Sequence, residues 1–85
     1  MKRKLKPVKV VERKLGREGA HGQYWRGKQL IEIDGRLKPQ KYLKILCHEI
    51  LHHINEDASE SRVKRESGIL AGILWQEGYR KVIGV

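Results

Sequence analysis

The chain is poor in the residues that build a large or cross-linked core: its 85 residues include no phenylalanine, one cysteine, two prolines, two tryptophans and three tyrosines. The single cysteine, Cys47, excludes an internal disulfide and a cysteine-based zinc ribbon, and it favours a reducing, cytoplasmic location. No segment approaches the roughly 18 apolar residues that a membrane helix requires. Charged residues follow the basic N-terminus where a signal peptide would be apolar, so we expect a soluble protein without a membrane partner.

Positive charge predominates, with a formal net charge of +9. Basic side chains cluster in the first nine residues and are elsewhere mixed with glutamates, which predicts a flexible basic tail over residues 1–7 and a solvated surface. This charge also makes contact with nucleic acid or an acidic partner plausible. The sequence contains no glycine-rich phosphate loop, arginine-rich helix or aromatic RNA-binding motif that would strengthen that second interpretation.

The N-terminal half has the patterns of β-strands. Residues 8–14 place three valines among charged residues and predict a first strand. Glycines then mark a loop, and residues 23–25 and 29–34 flank a turn-like stretch, 26–28, as in a hairpin. In residues 29–34, Ile31 and Ile33 alternate with acidic residues, so the two isoleucines lie on one face of the strand. We expect a small antiparallel sheet of about three strands.

The C-terminal half has the patterns of two helices. Apolar residues recur at helical spacing and predict a helix over residues 39–54, with a proline in its first turn. The polar stretch that follows contains two possible caps, Asp57 and Ser59, for a second helix that continues to about Gly78. The expected architecture is a single α+β domain in which the sheet packs on the two helices, the second returning along the first.

Two histidines and a glutamate form the pattern His48-Glu49-Ile50-Leu51-His52 within the first predicted helix. Residues four apart share a helix face, so both imidazoles can bind one metal at about 2.0–2.1 Å. Glu49 would face the open coordination position, where it can take a proton from metal-activated water and pass it to a departing amine. The motif predicts Zn²⁺ bound by His48 and His52, with Glu49 as the catalytic base and acid.

A catalytic zinc site has three protein ligands and a water, so a third ligand must come from outside the motif. Glu56 is disfavoured, because a straight continuation of the first helix would carry it roughly 6 Å per turn away from the metal. On a returning helix, Glu60 lies about as far from the turn as His52 does, whereas Glu66 lies about two turns farther on. Glu60 is the preferred third ligand and Glu66 the alternative. Glu60 can also act simply as an acidic residue that stabilises a helix start.

Other residues with suitable chemistry have simpler interpretations. His53 points about 100° away from His52 on a helix, which indicates a surface position or a supporting role outside the ligand set. His21, in a glycine-rich loop, and Tyr79, near the end of the second helix, could stabilise an oxyanion, but exposure and packing are their ordinary roles. Cys47 is expected to pack as a small buried residue.

The stretch from His48 to Ile54, HEILHHI, followed by a second helix that bears a glutamate, resembles the gluzincin zinc metallopeptidases. It resembles especially their minimal single-domain forms and the small metallopeptidase-like proteins encoded by phages. The resemblance covers roughly residues 20–80 and implies a zinc-dependent hydrolase of peptides or proteins. The expected location is the cytoplasm, and for a phage-encoded protein this is the cytoplasm of the host cell. The third-ligand glutamate of such families is often followed, three residues later, by a small side chain and then aspartate, whereas Val63 and Lys64 occupy those positions here.

By the same resemblance, the edge strand before the active helix binds an extended substrate by β-addition, and residues 29–34 correspond best to that strand. A function of another class is also open: a basic module that binds nucleic acid or protein and has a structural or vestigial zinc site. The small sheet favours this alternative, since it leaves little room for a deep specificity pocket.

Overall fold

The computed structural model describes residues 7–16 and 20–81. These residues form three strands and then two helices, which confirms the predicted α+β class: β1 (Lys9–Arg13), β2 (Gly22–Trp25), β3 (Leu30–Asp34), α1 (Pro39–Ile54) and α2 (Glu60–Gln76). The predicted basic tail lies outside the described residues, except for Pro7. Within the described part of the chain, neither helix is long and apolar enough to cross a membrane.

The sheet is mixed rather than wholly antiparallel, which corrects the prediction from sequence. The strand order is β1-β3-β2, and β3 pairs in parallel with β1 and antiparallel with β2. The predicted hairpin between β2 and β3 is present, with a 3-10 turn at Arg26–Lys28. The connection from β1 to β3 contains β2 itself, so it has the dozen or more residues that parallel pairing needs. A central position for β3 gives its backbone hydrogen-bonding partners on both sides.

This order also corrects the assignment of residues 29–34 as a substrate-binding edge strand. β3 is the central strand and pairs with β1 on one side and with β2 on the other. Ile31 and Ile33 of β3 are fully buried and form a core with Tyr42 of α1. The most apolar strand therefore lies where burial is greatest, and β1 and β2 are the outer strands of the sheet.

A buried carboxylate joins the three strands on the sheet face opposite to this core. Glu32 of β3 accepts hydrogen bonds from Arg13 of β1 and from Gln23 and Trp25 of β2, at 2.6–2.7 Å. The hydrogen bonds from Trp25, Arg13 and Gln23 lower the pKa of Glu32 to about 2, although its burial acts in the opposite direction. Glu32 is therefore ionised at neutral pH and holds both outer strands on the central one.

The second helix begins at a defined cap. The hydroxyl of Ser59 accepts a hydrogen bond from the backbone nitrogen of Arg62 at 3.2 Å, so Ser59, rather than Asp57, caps α2. The helix ends at Gln76, and Gly78 follows with a φ of 89°, in the left-handed region that favours glycine. α2 packs along α1. The predicted reversal is present, because His52 contacts the first residue of α2, Glu60, whereas His48, one turn earlier on α1, contacts Ser67 farther along α2.

Strand β2 approaches α1 so closely at Gly22 that only a glycine fits without a shift. A Cβ atom at this position would lie 2.5 Å from Cγ2 of Ile45, 3.2 Å from the backbone oxygen of Glu32 and 3.5 Å from Cγ of Glu49. At Gly27, in the turn after β2, a Cβ atom would meet nothing within 4 Å. Gly22 thus sets the distance between the sheet and the part of α1 that carries Glu49.

We expect Gly22→Ala to lower the free energy of unfolding by about 1–3 kcal/mol, because the added methyl group overpacks the contact with Ile45. The matched control, Gly27→Ala, should be neutral or stabilising by up to about 1 kcal/mol, since it adds a methyl group in open space and restricts the unfolded chain. Urea denaturation of the two variants measures the difference. Equal stabilities would show that β2 does not approach α1 as described.

Candidate metal centre

Two imidazoles of α1 converge on one point. His48 and His52 lie one helical turn apart, and their Nε2 atoms are 3.2 Å from each other. Their side chains are 18% and 22% exposed, so the ring edges reach solvent while the rings themselves are largely enclosed. The spacing of four residues in the sequence accounts for this convergence, because it places both side chains on the same helix face.

The third member of the group comes from the start of α2. Glu60 follows the cap Ser59, and its Oε1 lies 2.8 Å from Nε2 of His48 while its Oε2 lies 2.9 Å from Nε2 of His52. These residues form a group that could hold a metal ion. In a tetrahedral zinc site with bonds of about 2.0–2.1 Å, ligand atoms lie about 3.3 Å apart. The ligand atoms of His48, His52 and Glu60 lie 2.8 to 3.2 Å apart, so they would need to move by only a few tenths of an ångström to bind such an ion.

The two other glutamates considered from the sequence have different partners. Glu66 accepts a hydrogen bond from Nε of Arg62 at 3.1 Å, as an i,i+4 pair on the surface of α2. Glu56 accepts from the hydroxyl of Tyr24 at 2.6 Å. Neither belongs to the group formed with the two histidines. The structure thus brings Glu60, and not Glu66, to the imidazoles, while its role as a ligand stays a prediction.

Glu49 is buried beside this group, with 7% of its surface exposed. Burial, and next the negative charge of Glu60, raise the pKa of Glu49 to about 7. No hydrogen bond from another described residue holds its carboxylate. A carboxyl group whose pKa lies near neutrality can both accept and return a proton, as a general base and acid must.

A network that the sequence did not reveal fixes the turn between the helices. The hydroxyl of Tyr24 donates to Glu56 and lies 3.0 Å from Nδ1 of His53, and Arg26 pairs with both Glu56 and Asp57. Burial and the bond to Glu56 raise the pKa of Tyr24 to about 12, so its hydroxyl stays protonated. β2 is thereby attached to the segment that leads into Glu60, and His53 supports this attachment.

The remaining candidates lie elsewhere or serve the packing. His21 is exposed, and its backbone oxygen accepts from the nitrogen of Asp34 at 2.9 Å. Tyr79 is 64% exposed and lines a groove with Pro39, at the opposite end of α1 from the motif. Cys47 is buried, and burial raises the pKa of its thiol, which agrees with the packing role expected for it.

Sequence reasoning also missed Ser67 of α2, which lies next to His48. One signal was available: Val63, Ser67 and Ala71 recur at intervals of four residues and are all buried, so Ser67 is a polar residue in an apolar row. No comparable signal marked Tyr24, since a tyrosine in a strand usually packs against its neighbours.

Comparisons of the chain with protein-family models, curated proteins and solved structures found no match. The resemblance to gluzincins therefore stays a prediction from the motif. A function for this chain must be inferred from the positions of its side chains.

We expect the protein to bind one Zn²⁺ per chain. Glu60→Gln should weaken that binding by more than the roughly 10- to 100-fold that is typical when a residue hydrogen-bonded to a ligand is removed. Removal of a direct ligand should cost more than removal of a supporting group. The control Glu66→Gln, on the same helix, should bind zinc as the wild type does. Competition with a chromophoric chelator measures both constants, and the reverse order would identify Glu66 as the ligand.

Proposed function

We propose that the protein is a zinc-dependent peptide-bond hydrolase. The observation that supports this proposal is the convergence of His48, His52 and Glu60 beside the buried carboxyl group of Glu49. Two imidazoles and one carboxylate are a ligand set of catalytic zinc sites, which leave a fourth position open for water or substrate. The pair of helices supplies all three ligands, so the small sheet need not contribute any.

The chemical role proposed for each side chain follows from its position. Zn²⁺, when bound, supplies a Lewis acid that lowers the pKa of a coordinated water toward about 7 and polarises the scissile carbonyl group. Glu49 accepts the proton that the attacking water loses and delivers it to the departing amine. His48, His52 and Glu60 act only as ligands, since each offers one ligand atom to the common centre.

The substrate on this proposal is an extended peptide or protein segment. β2 is an outer strand, and no other described strand pairs with its far side. Gly22 of β2 lies directly against Glu49, so a chain paired with β2 at the usual spacing of about 4.8 Å would pass close to the metal centre. β2 therefore takes the substrate-binding role first assigned to residues 29–34.

We place this activity in the cytoplasm. The chain has one thiol, that of Cys47, and it is buried in the core, which suits a protein that does not depend on oxidising surroundings. The resemblance to small phage-encoded proteins is consistent with the cytoplasm of a bacterial host.

Glu49→Gln should lower kcat/KM for a quenched-fluorescent peptide pool by about 100- to 10,000-fold, the usual contribution of a general base. It should still bind one Zn²⁺, because the three ligand side chains are untouched. Glu66→Gln is the matched control and should keep the wild-type rate. Full activity in Glu49→Gln, or no cleavage by zinc-loaded wild type, would contradict the proposal.

A second candidate function, nucleic-acid binding, is favoured by one surface. Lys38, Lys41 and Lys44 line a groove between α1 and α2, and the small residues Gly68, Ala71 and Gly72 line it with them. In the described part of the chain, none of the three lysines forms an ion pair. Exposed lysines of this kind suit contact with phosphate groups, which is largely independent of sequence.

Fluorescence anisotropy with duplex DNA at several salt concentrations tests this candidate. If the groove binds DNA, replacement of its three lysines by glutamine should reduce the slope of log K against log salt by about 2–3. A control triple, Lys9, Lys14 and Lys28 to glutamine, removes the same charge elsewhere and should leave the slope near the wild-type value. Glu49→Gln should have no effect on binding. Equal losses in both triples, or no binding at all, would reject a nucleic-acid site in the groove.

A further inference from the structure

Ser67 is a buried polar residue on the face of α2 that packs against α1. It is 1% exposed and lies between Val63 and Ala71, which are also buried. A hydroxyl group in such surroundings is retained at low cost only when it is hydrogen-bonded. Its partners therefore indicate what the side chain does.

The hydroxyl of Ser67 has two polar neighbours, one in α2 and one in α1. Its Oγ donates to the backbone oxygen of Lys64 at 3.1 Å and lies 3.4 Å from Nδ1 of His48. A hydroxyl has a single hydrogen and two acceptor lone pairs. A backbone oxygen can only accept, so the contact with Lys64 uses the hydrogen of the hydroxyl group. The lone pairs of Oγ are then left for Nδ1, which donates in the tautomer that carries its proton there.

We propose that Ser67 is a positioning residue: when a metal ion occupies the site, Ser67 keeps the proton of His48 on Nδ1, so that the lone pair of Nε2 is free for the ion that Glu60 and His52 also face. This inference rests on the zinc site proposed above. A neutral imidazole carries one proton, and the nitrogen that keeps it cannot bind a metal. The bond from Nδ1 to Ser67 thus selects the metal-binding tautomer and restricts rotation of the ring.

Ser67 differs in this respect from the other serines near the site. Ser59 caps the helix, and Ser61 is exposed and has its Oγ 3.3 Å from that of Ser59. Neither contacts an imidazole through a hydrogen bond in the described structure. Ser61 therefore offers a matched control: the same substitution on the same helix, with no effect on the ring of His48.

Zinc affinity of Ser67→Ala tests the inference, measured by chelator competition on protein whose fold is checked by circular dichroism. We expect binding about 10- to 100-fold weaker than in the wild type, as for other partners of metal-bound histidines. Ser61→Ala should bind as the wild type does. Ser67→Thr keeps the hydroxyl and should bind more tightly than Ser67→Ala.

Nuclear magnetic resonance of the zinc-loaded protein gives a readout that packing alone would not change. In the wild type, the proton on Nδ1 of His48 should exchange slowly and show a nuclear Overhauser effect to the β-protons of Ser67. In Ser67→Ala it should exchange faster and shift upfield, because its acceptor is gone. The wild-type spectrum decides the question even if the variant fails to fold.

The outcomes separate this inference from the proposed function. A wild-type protein that binds no Zn²⁺ would overturn the metal site and the inference together. Tight zinc binding in both wild type and Ser67→Ala, or a wild-type His48 ring that lacks the contact with Ser67, would overturn only the role of Ser67. Weaker binding together with the altered Nδ1 resonance would support it.

Discussion

The packing of α2 along α1 is the constraint on which the site depends, because the group of possible metal ligands is divided between the two helices. His48 and His52 belong to α1, and Glu60 is the first residue of α2. The cap at Ser59 determines the residue at which α2 begins. The bonds of Tyr24 and Arg26 to the turn fix the position of that residue in space. A carboxylate that is 68% exposed is thereby directed at two imidazoles on a neighbouring element.

The electrostatics of the site suit a cation at its centre. Glu49 is buried, and the negative charge of Glu60 adds to the effect of burial in raising its pKa to about 7. The buried carboxyl group of Glu49 and the exposed one of Glu60 repel each other when both are ionised. A divalent ion would remove this repulsion, which is the physical link between the arrangement of the side chains and the proposed chemistry.

Much of the fold and part of the site could be predicted from local patterns. The period of the apolar residues gave both helices, and the alternation around Ile31 gave the hairpin strand, because these periods reflect which side chains share a face. The order of the strands was not predictable in this way. Whether β1 pairs with β2 or β3 depends on which strand the whole molecule buries most deeply, and so residues 29–34 were wrongly expected at an edge.

The sequence alone determined that two imidazoles and a carboxyl group share one short stretch of helix, since a spacing of four residues has a single geometric meaning once the segment is helical. It also limited the third member of the group to a few glutamates, but it could not show which of them contacts the histidines. Only the tertiary structure brought Glu60 to the histidines, paired Glu66 with Arg62 instead, and set Ser67 behind His48. These contacts join residues on different elements, and their distances follow from how the helices and strands pack together, which no local pattern encodes.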